Sequence, residues 1–243
     1  MYSNRAISLF SGAGGLDVGF ERAGFHIVYA NEFDPDAAST WRANRQGNSN
    51  AMHEGDINDI LPELEEYRDT IDIMFGGPPC QGFSVAGKMD PQDKRSELIF
   101  TFLKAVEIVK PHFFVMENVK ALGTLDKWAN VRTKYLTRAK GLGYSVAYSV
   151  FHTPDFGVPQ NRDRVIFVGV KDGNPNLFFE EMNRMMCVAP SARDVLNSVG
   201  KYGTPENPIT CAASVTLAKS PVIRKSPYAG MLVNGAGRPV NLN

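Results

Sequence analysis

The chain has 243 residues, 43% apolar and 21% charged, which fits a globular protein with one large α/β domain or a domain plus a small appendage. Its 26 basic and 26 acidic side chains balance to zero net charge, so the basic signature of many nucleic-acid binders is absent overall, and a polyanionic partner is neither supported nor excluded. No apolar run approaches the roughly 20 residues of a membrane span, and the amino terminus MYSNRAISLFSGAGG does not read as a signal peptide.

Charge is uneven along the chain. Residues 1–170 carry 18 basic and 21 acidic side chains, and residues 171–243 carry 8 and 5. Three scattered cysteines, Cys80, Cys187 and Cys211, make neither a disulfide framework nor a metal site. They suit a reducing cytoplasm.

Over the first 170 residues short apolar runs alternate with helical patterns, which predicts a doubly wound, mostly parallel α/β sheet of Rossmann type. The predicted strands are Ala6–Phe10, His26–Asn31, Ile71–Gly76, Phe113–Glu117, Ser145–Phe151 and Arg164–Val170. A helix carrying Leu16, Phe20 and Ala23 at helical spacing closes at Gly24. A second runs from Ser96 to Val109, and a third from about Leu125 to Lys140. After residue 171 the pattern thins, leaving one short helix, Ala192 to Val199, and a stretch rich in Pro, Gly, Asn and Ser. Residues 1–171 therefore read as one domain and 172–243 as the incomplete start of a second, whose last 40 or so residues are too sparse to build a core of their own.

The first strand ends in Ser11-Gly12-Ala13-Gly14-Gly15 before a helix, a turn whose glycines let a ligand approach the backbone. About 20 residues on, Glu32 ends the second strand, where an acidic side chain commonly receives ribose hydroxyls. The glycines are out of register for a pyrophosphate cradle, which favours an adenosine-bearing ligand without one. Asp56 and Ile57 offer an acceptor for an adenine amino group and a surface for its ring. Asp56 is equally readable as a helix cap.

The stretch IMFGGPPCQGFSVAG places Cys80 just past the Ile71–Gly76 strand, at the edge where open α/β sheets bind ligands. Pro78 and Pro79 stiffen the approach. A thiol held there suits a nucleophile, although a lone cysteine is more often buried and inert. Glu117 and Asn118 end the next strand, where a carboxyl is either a solvated strand end or a proton donor facing the same cleft as the thiol. Gln160, Arg162 and Arg164 alternate into the last strand, and period two predicts one common face, suited to a phosphate or carbonyl oxygen.

These pieces, in this order, resemble the cytosine-5 DNA methyltransferases over residues 5 to 170. Phe10 to Gly15 looks like the family's cofactor loop, Glu32 its ribose ligand and Asp56 its adenine reader. Pro78-Pro79-Cys80-Gln81 matches the nucleophile motif, Glu117-Asn118-Val119 the proton-donor motif, and Gln160, Arg162 and Arg164 the later arginine motif. The resemblance implies S-adenosyl-L-methionine as cofactor, with Phe10, Gly12, Gly14, Gly15, Leu16, Glu32, Phe33, Asp56, Ile57 and Pro79 around it. It implies double-stranded DNA as partner, a flipped-out cytosine, and a covalent bond from Cys80 to ring carbon 6 while Glu117 stabilises the protonated ring nitrogen. Arg164 would meet the cytosine carbonyl and Arg162 would position the site. Gln81, Asn118 and Gln160 would face the substrate. Lys88, Lys94 and Arg95, in a loop over the DNA, would meet phosphate.

The family normally continues into a recognition domain and two late motifs, which are not found here. The resemblance thus leaves half of a split enzyme, completed by a second polypeptide, or an inactive truncated fragment. An RNA-directed member would share every motif. A dinucleotide oxidoreductase would explain the glycine turn and Glu32 but leave Cys80 and Glu117 without a role, and a non-catalytic module would be expected to lack them.

Overall fold

In the computed structural model the residues described are 3–79 and 97–198. They begin with β1 (Arg5–Leu9), α1 (Gly15–Arg22), β2 (His26–Glu32), α2 (Pro35–Ala43), β3 (Met52–Glu54) and α3 (Ile57–Ile60). Then come β4 (Ile73–Gly76), α4 (Leu98–Val109), β5 (Phe113–Val119), α5 (Lys120–Thr124), α6 (Ala129–Gly141), β6 (Tyr144–His152), β7 (Asp163–Lys171), α7 (Asn176–Arg184) and α8 (Ala192–Ser198). One compact unit covers Met1–Ala192 and a second covers Arg193–Asn243.

Seven strands form one sheet in the order β3-β2-β1-β4-β5-β7-β6. The five from β3 to β5 are parallel. β7 runs antiparallel to both β5 and β6. The sheet is thus Rossmann-like and mostly parallel, as the alternating pattern predicts. Strand order reverses between β1 and β4, and the carboxyl ends of the strands at such a point are where open α/β sheets bind ligands.

Strand alternation feeds two cores. Ile7, Leu9, Met74, Phe114, Met116, Val165 and Phe167 belong to one, with Phe102, Trp128 and Tyr135 from the helices over that face. Ala6, Ile73, Phe75, Val115 and Val168 belong to the other, with Trp41 of α2. Phe20 of α1 stacks on Phe75 with ring centroids 3.8 Å apart, a pairing that contributes about 0.5–1.5 kcal/mol beyond area burial. Full burial of Phe75 itself contributes about 1.5–3 kcal/mol.

Several elements differ from the sequence expectation for local reasons. β3 has only three residues, too few for period two to register. α2 was not predicted, yet its start is well marked. Pro35 holds the first helical position, and the Asp34 carboxylate accepts from the N–H groups of Asp36 and Ala37, a cap that stabilises by about 1 kcal/mol. α6 starts at Ala129 rather than Leu125, because Leu125 is extended at ψ 135° and a short 3-10 turn, Asp126–Trp128, intervenes. α7 also escaped prediction. Its Phe179 stacks on Phe151 and packs against the second core, so the chain stays with the sheet beyond residue 171. Among the described residues no helix is long and apolar enough to cross a membrane.

Candidate active site

At the reversal point β1 stops at Leu9 because Phe10 turns to φ 54°, in the left-handed region. Gly12 and Gly14 follow at φ 57° and 88°, conformations that favour glycine. A side chain on Gly14 would meet the Arg45 guanidinium and stand 2.8 Å from the Trp41 ring. At Gly12 the added carbon meets nothing within 4 Å, leaving its backbone open to a ligand. The Gly12 N–H donates to Glu32 Oε2 at 2.7 Å, and the Asp34 N–H donates to Glu32 Oε1 at 2.9 Å. Two backbone donors thus hold the Glu32 carboxylate at the tip of β2. Asn31, almost wholly buried, ties β2 to β3 by donating to the carbonyls of His53 and Gly55 at 3.0 Å each.

A cavity of about 420 Å³ opens between these tips. Phe10, Glu32, Phe33, Asp56, Ile57 and Pro79 line it, so six residues expected around an adenosine converge there. Asn31, Gly77 and Leu98 also line it and were not singled out from sequence. The two readings of Asp56 coexist, since its carboxylate caps α3 by accepting from the Asn58 N–H at 2.8 Å while it borders the cavity. Phe33 is 73% exposed and forms the rim.

A second cavity of about 460 Å³ lies alongside and shares Phe10 and Gly77 with the first. Gly15 and Leu16 border it on the α1 side, Glu117 and Arg162 on the far side. Glu117 leaves β5 on the same face as Val115, and in the antiparallel register Val119 lies opposite Arg164. Arg164 is thus a diagonal neighbour of Glu117, and its Nε approaches Glu117 Oε1 at 2.7 Å. Arg162 Nη2 is 3.9 Å from the same oxygen. The carboxylate therefore carries two guanidinium neighbours and remains on the cavity wall.

The paired glycines of β4 have distinct steric causes. A side chain on Gly76 would overlap the Leu9 carbonyl oxygen, and one on Gly77 would stand 3.2 Å from Glu117 Oε2. The first glycine lets β1 and β4 close, and the second lets Glu117 lie over the backbone that leads to Cys80.

Two expectations change. Asn118 was expected to face the substrate, but it is 1% exposed and its amide donates to the Pro78 carbonyl at 3.1 Å. Strand alternation turns it inward, where it steadies the segment before Cys80. Gln160, Arg162 and Arg164 do not share one strand face, because β7 begins only at Asp163 and of the three only Arg164 lies in it. Gln160 sits in the preceding turn, where its N–H donates to the Val158 carbonyl at 2.8 Å. Cys80, Gln81, Lys88, Lys94 and Arg95 lie outside the described residues. Among the described residues no cluster of His, Cys, Asp and Glu could hold a metal ion.

A buried carboxyl that sequence reasoning missed lies beneath the glycine loop. Asp17 of α1 has no exposed surface, and its Oδ1 accepts from Trp41 Nε1–H at 2.8 Å. Burial pushes its pKa up, against the opposing influence of the Trp41 and Ser8 hydrogen-bonding groups and the Arg45 charge.

Comparison with known proteins agrees with this geometry. Residues 4–226 match the family model described as C-5 cytosine-specific DNA methylase. The type II methyltransferase M1.HphI of Haemophilus parahaemolyticus is 40% identical over 181 residues, covering 72% of this chain and 48% of its own. M.AquIA of Picosynechococcus is 42% identical over 191 residues, 72% of this chain and 75% of its own. The chain thus spans about half of the first relative and three quarters of the second. A solved DNA modification methyltransferase encoded within an E. coli prophage aligns with a TM-score of 0.64 and 29% identity, covering 82% of this chain and 56% of that one. The Dnmt2 methyltransferase of S. pombe, at 20% identity and TM-score 0.56 over 78% of this chain and 58% of its own, shares the fold. The chain belongs to the C-5 cytosine-specific DNA methylase family.

Proposed function

We propose that the chain methylates carbon 5 of a cytosine flipped out of double-stranded DNA, with S-adenosyl-L-methionine as methyl donor. The observation that carries this reading is the convergence of Glu117, braced by Arg164 at 2.7 Å, with the Gly77-Pro78-Pro79 approach to Cys80 and the adenosine-sized cavity behind Glu32. The donor fits the residues present. Glu32 offers a fixed carboxylate to ribose hydroxyls, Ile57 and Phe33 offer apolar walls to adenine, and Gly12 leaves room for close approach.

When bound, the donor supplies a methyl carbon made electrophilic by the positive sulfur it leaves. Cys80 adds as thiolate to ring carbon 6, while Glu117 holds a proton at ring nitrogen 3 so that the ring accepts the electron pair. That addition makes carbon 5 nucleophilic, and a donor held by Glu32, Ile57 and Phe33 would supply the methyl group to it and keep the bonding electrons on its sulfur. Loss of the carbon 5 proton to a base restores the ring double bond and expels the thiolate. Arg164, fixed against Glu117, keeps that carboxyl at the ring and faces the cytosine carbonyl. Arg162 positions the same wall. Gln81, Lys88 and Arg95 contact the DNA. None of these atoms is reachable inside a duplex, so the base is extruded.

The relative M1.HphI extends well beyond the matched half. We take DNA recognition and closure of the donor site to need a further part, carried by a second polypeptide or by more of this same chain. The test is transfer of labelled methyl to unmethylated DNA by the folded chain, with Cys80→Ala beside it. Transfer that survives Cys80→Ala overturns the covalent mechanism. Cys80-dependent transfer by the chain alone confirms the activity and removes the need for a further part. A folded chain that binds S-adenosyl-L-homocysteine yet transfers nothing supports the need for that further part, and one that binds no such ligand overturns the donor site.

A further inference from the structure

Asp17 is a buried carboxyl that none of the steps above uses. It occupies the first turn of α1 and is the one buried residue of that helix. Its Oδ1 is satisfied by Trp41. Its Oδ2 makes no hydrogen bond of normal geometry among the described residues, although the Ser8 hydroxyl stands near enough to lower its pKa. Ser8 lies at the end of β1, and its Oγ is 2.8 Å from Ser11 Oγ. Ser8, Ser11 and Asp17 all border the cavity that ends at Glu117. A polar path thus leads from the cavity wall, through two hydroxyls, to a carboxyl with a free oxygen.

The neighbouring charges are otherwise engaged. Arg45 gives Nε and Nη2 to the two Glu21 oxygens at 2.8 Å each, gives Nη2 also to the Gly14 carbonyl, and lies 4.6 Å over the Trp41 ring. Glu117 is paired with Arg164. Among the described residues Asp17 is therefore the remaining acidic group at the α1 end of the cavity. The Ser11 hydroxyl also donates to the Ser8 carbonyl at 3.2 Å, so the two serines form one hydroxyl pair beside Asp17 on the cavity wall.

The two cavities share Phe10 and Gly77, so a donor held with its adenosine against Glu32 would reach the second cavity with its amino-acid end. We infer that Asp17, acting through Ser8 and Ser11, is the counter-charge that positions the α-ammonium group of the methyl donor. The inference rests on the donor-site reading above, and it makes Asp17 a positioning residue, not a catalytic one.

Titration calorimetry on the full chain tests it with three ligands. S-Adenosyl-L-homocysteine carries both amine and carboxylate, 5′-deoxy-5′-(3-aminopropylthio)adenosine keeps the amine alone, and 5′-methylthioadenosine has neither. Asp17→Asn, which keeps an oxygen for Trp41, is expected to weaken the two amines about tenfold and leave methylthioadenosine within twofold. Ser11→Ala, which leaves Asp17 in place, is expected to give the same pattern more weakly. The wild-type preference for amines is expected to fall as pH drops and Asp17 takes up its proton. Equal losses for all three ligands, or none, in both variants would overturn the inference while leaving the donor site standing. If the wild-type chain binds none of the three, the donor-site reading fails and this inference fails with it.

Discussion

The same carboxyl makes a prediction about the chain without ligand. Asp17 is fully buried, one oxygen is hydrogen-bonded to Trp41 and the other is without a normal partner. A buried acceptor in that state costs about 1–3 kcal/mol, more when charged. Asp17→Asn removes the charge, keeps an oxygen for Trp41 and turns an N–H toward the Ser8 hydroxyl. We expect the variant to be more stable by about 1–2 kcal/mol at pH values above the raised Asp17 pKa, where the wild-type carboxyl is ionised. For a chain of this size that raises the Tm by about 2–8 °C. The pH dependence gives the sharper test. Burial raises the Asp17 pKa above its ordinary 3.8, so the folded chain holds this proton more tightly than the unfolded one. Stability from this group is then fully present below the unfolded value and is lost as pH rises through the folded value. The advantage of Asp17→Asn should therefore shrink toward pH 4. Urea titrations from pH 4.5 to 8.5, followed by fluorescence of the two buried tryptophans, Trp41 and Trp128, read it directly. A variant less stable at every pH, or a gain that does not change with pH, would refute the reasoning.

Gly76→Ala sets a carbon on the Leu9 carbonyl, and overpacking against backbone should destabilise by about 1–3 kcal/mol, visible as a lowered Tm or lost soluble yield. Asn118→Ala leaves the Pro78 carbonyl without its donor, a loss of about 1–3 kcal/mol that chemical denaturation measures. A double-mutant cycle of Glu117→Gln with Arg164→Met should return a coupling of about 0.5–3 kcal/mol, and a value of zero would mean that Arg164 does not brace Glu117. The Asp163 carboxyl is held below its ordinary range by hydrogen bonds from Lys120 and His152 and by their charges. Its contribution is present above the unfolded pKa and fades as pH falls through the lower folded value, so Asp163→Asn should flatten the acid limb of the stability profile below about pH 4.

What the sequence made legible follows from period and punctuation. Each of the six predicted strands corresponds to an observed one within two residues at either end, because period two and flanking glycines mark them. Around the adenosine-sized cavity, six expected residues converge because each sits at a strand tip, which the strand pattern alone locates. Contacts without a period were hidden. The Asp17–Trp41 bond joins residues 24 apart on two helices, and α2, with Ala38 and Trp41 as its buried face, has too narrow a stripe to announce itself. The inward turn of Asn118 was knowable only once Glu117 was assigned to the cavity face, since alternation sends the next residue the other way. Gln160 was misplaced because its spacing continues into a strand that starts three residues later.

The reversed strand has a consequence for how the site assembles. β6 and β7 form a continuous antiparallel hairpin from Tyr144 to Lys171, whose pairing is local in sequence and therefore quick to form. Glu117 arrives on a different piece of chain, the parallel side of the sheet. Pairing of β7 with β5 is what brings arginine to carboxylate. Its register, with Glu117 opposite Ile166, decides the outcome. A slip of one residue would send Arg164 to the opposite face, burying a guanidinium in the core and leaving Glu117 bare. The Phe114 ring packed over Gly169 guards against that slip, since a side chain there would overlap the ring. A small residue far from the chemistry thus acts as the keel that lets this hairpin land in one alignment.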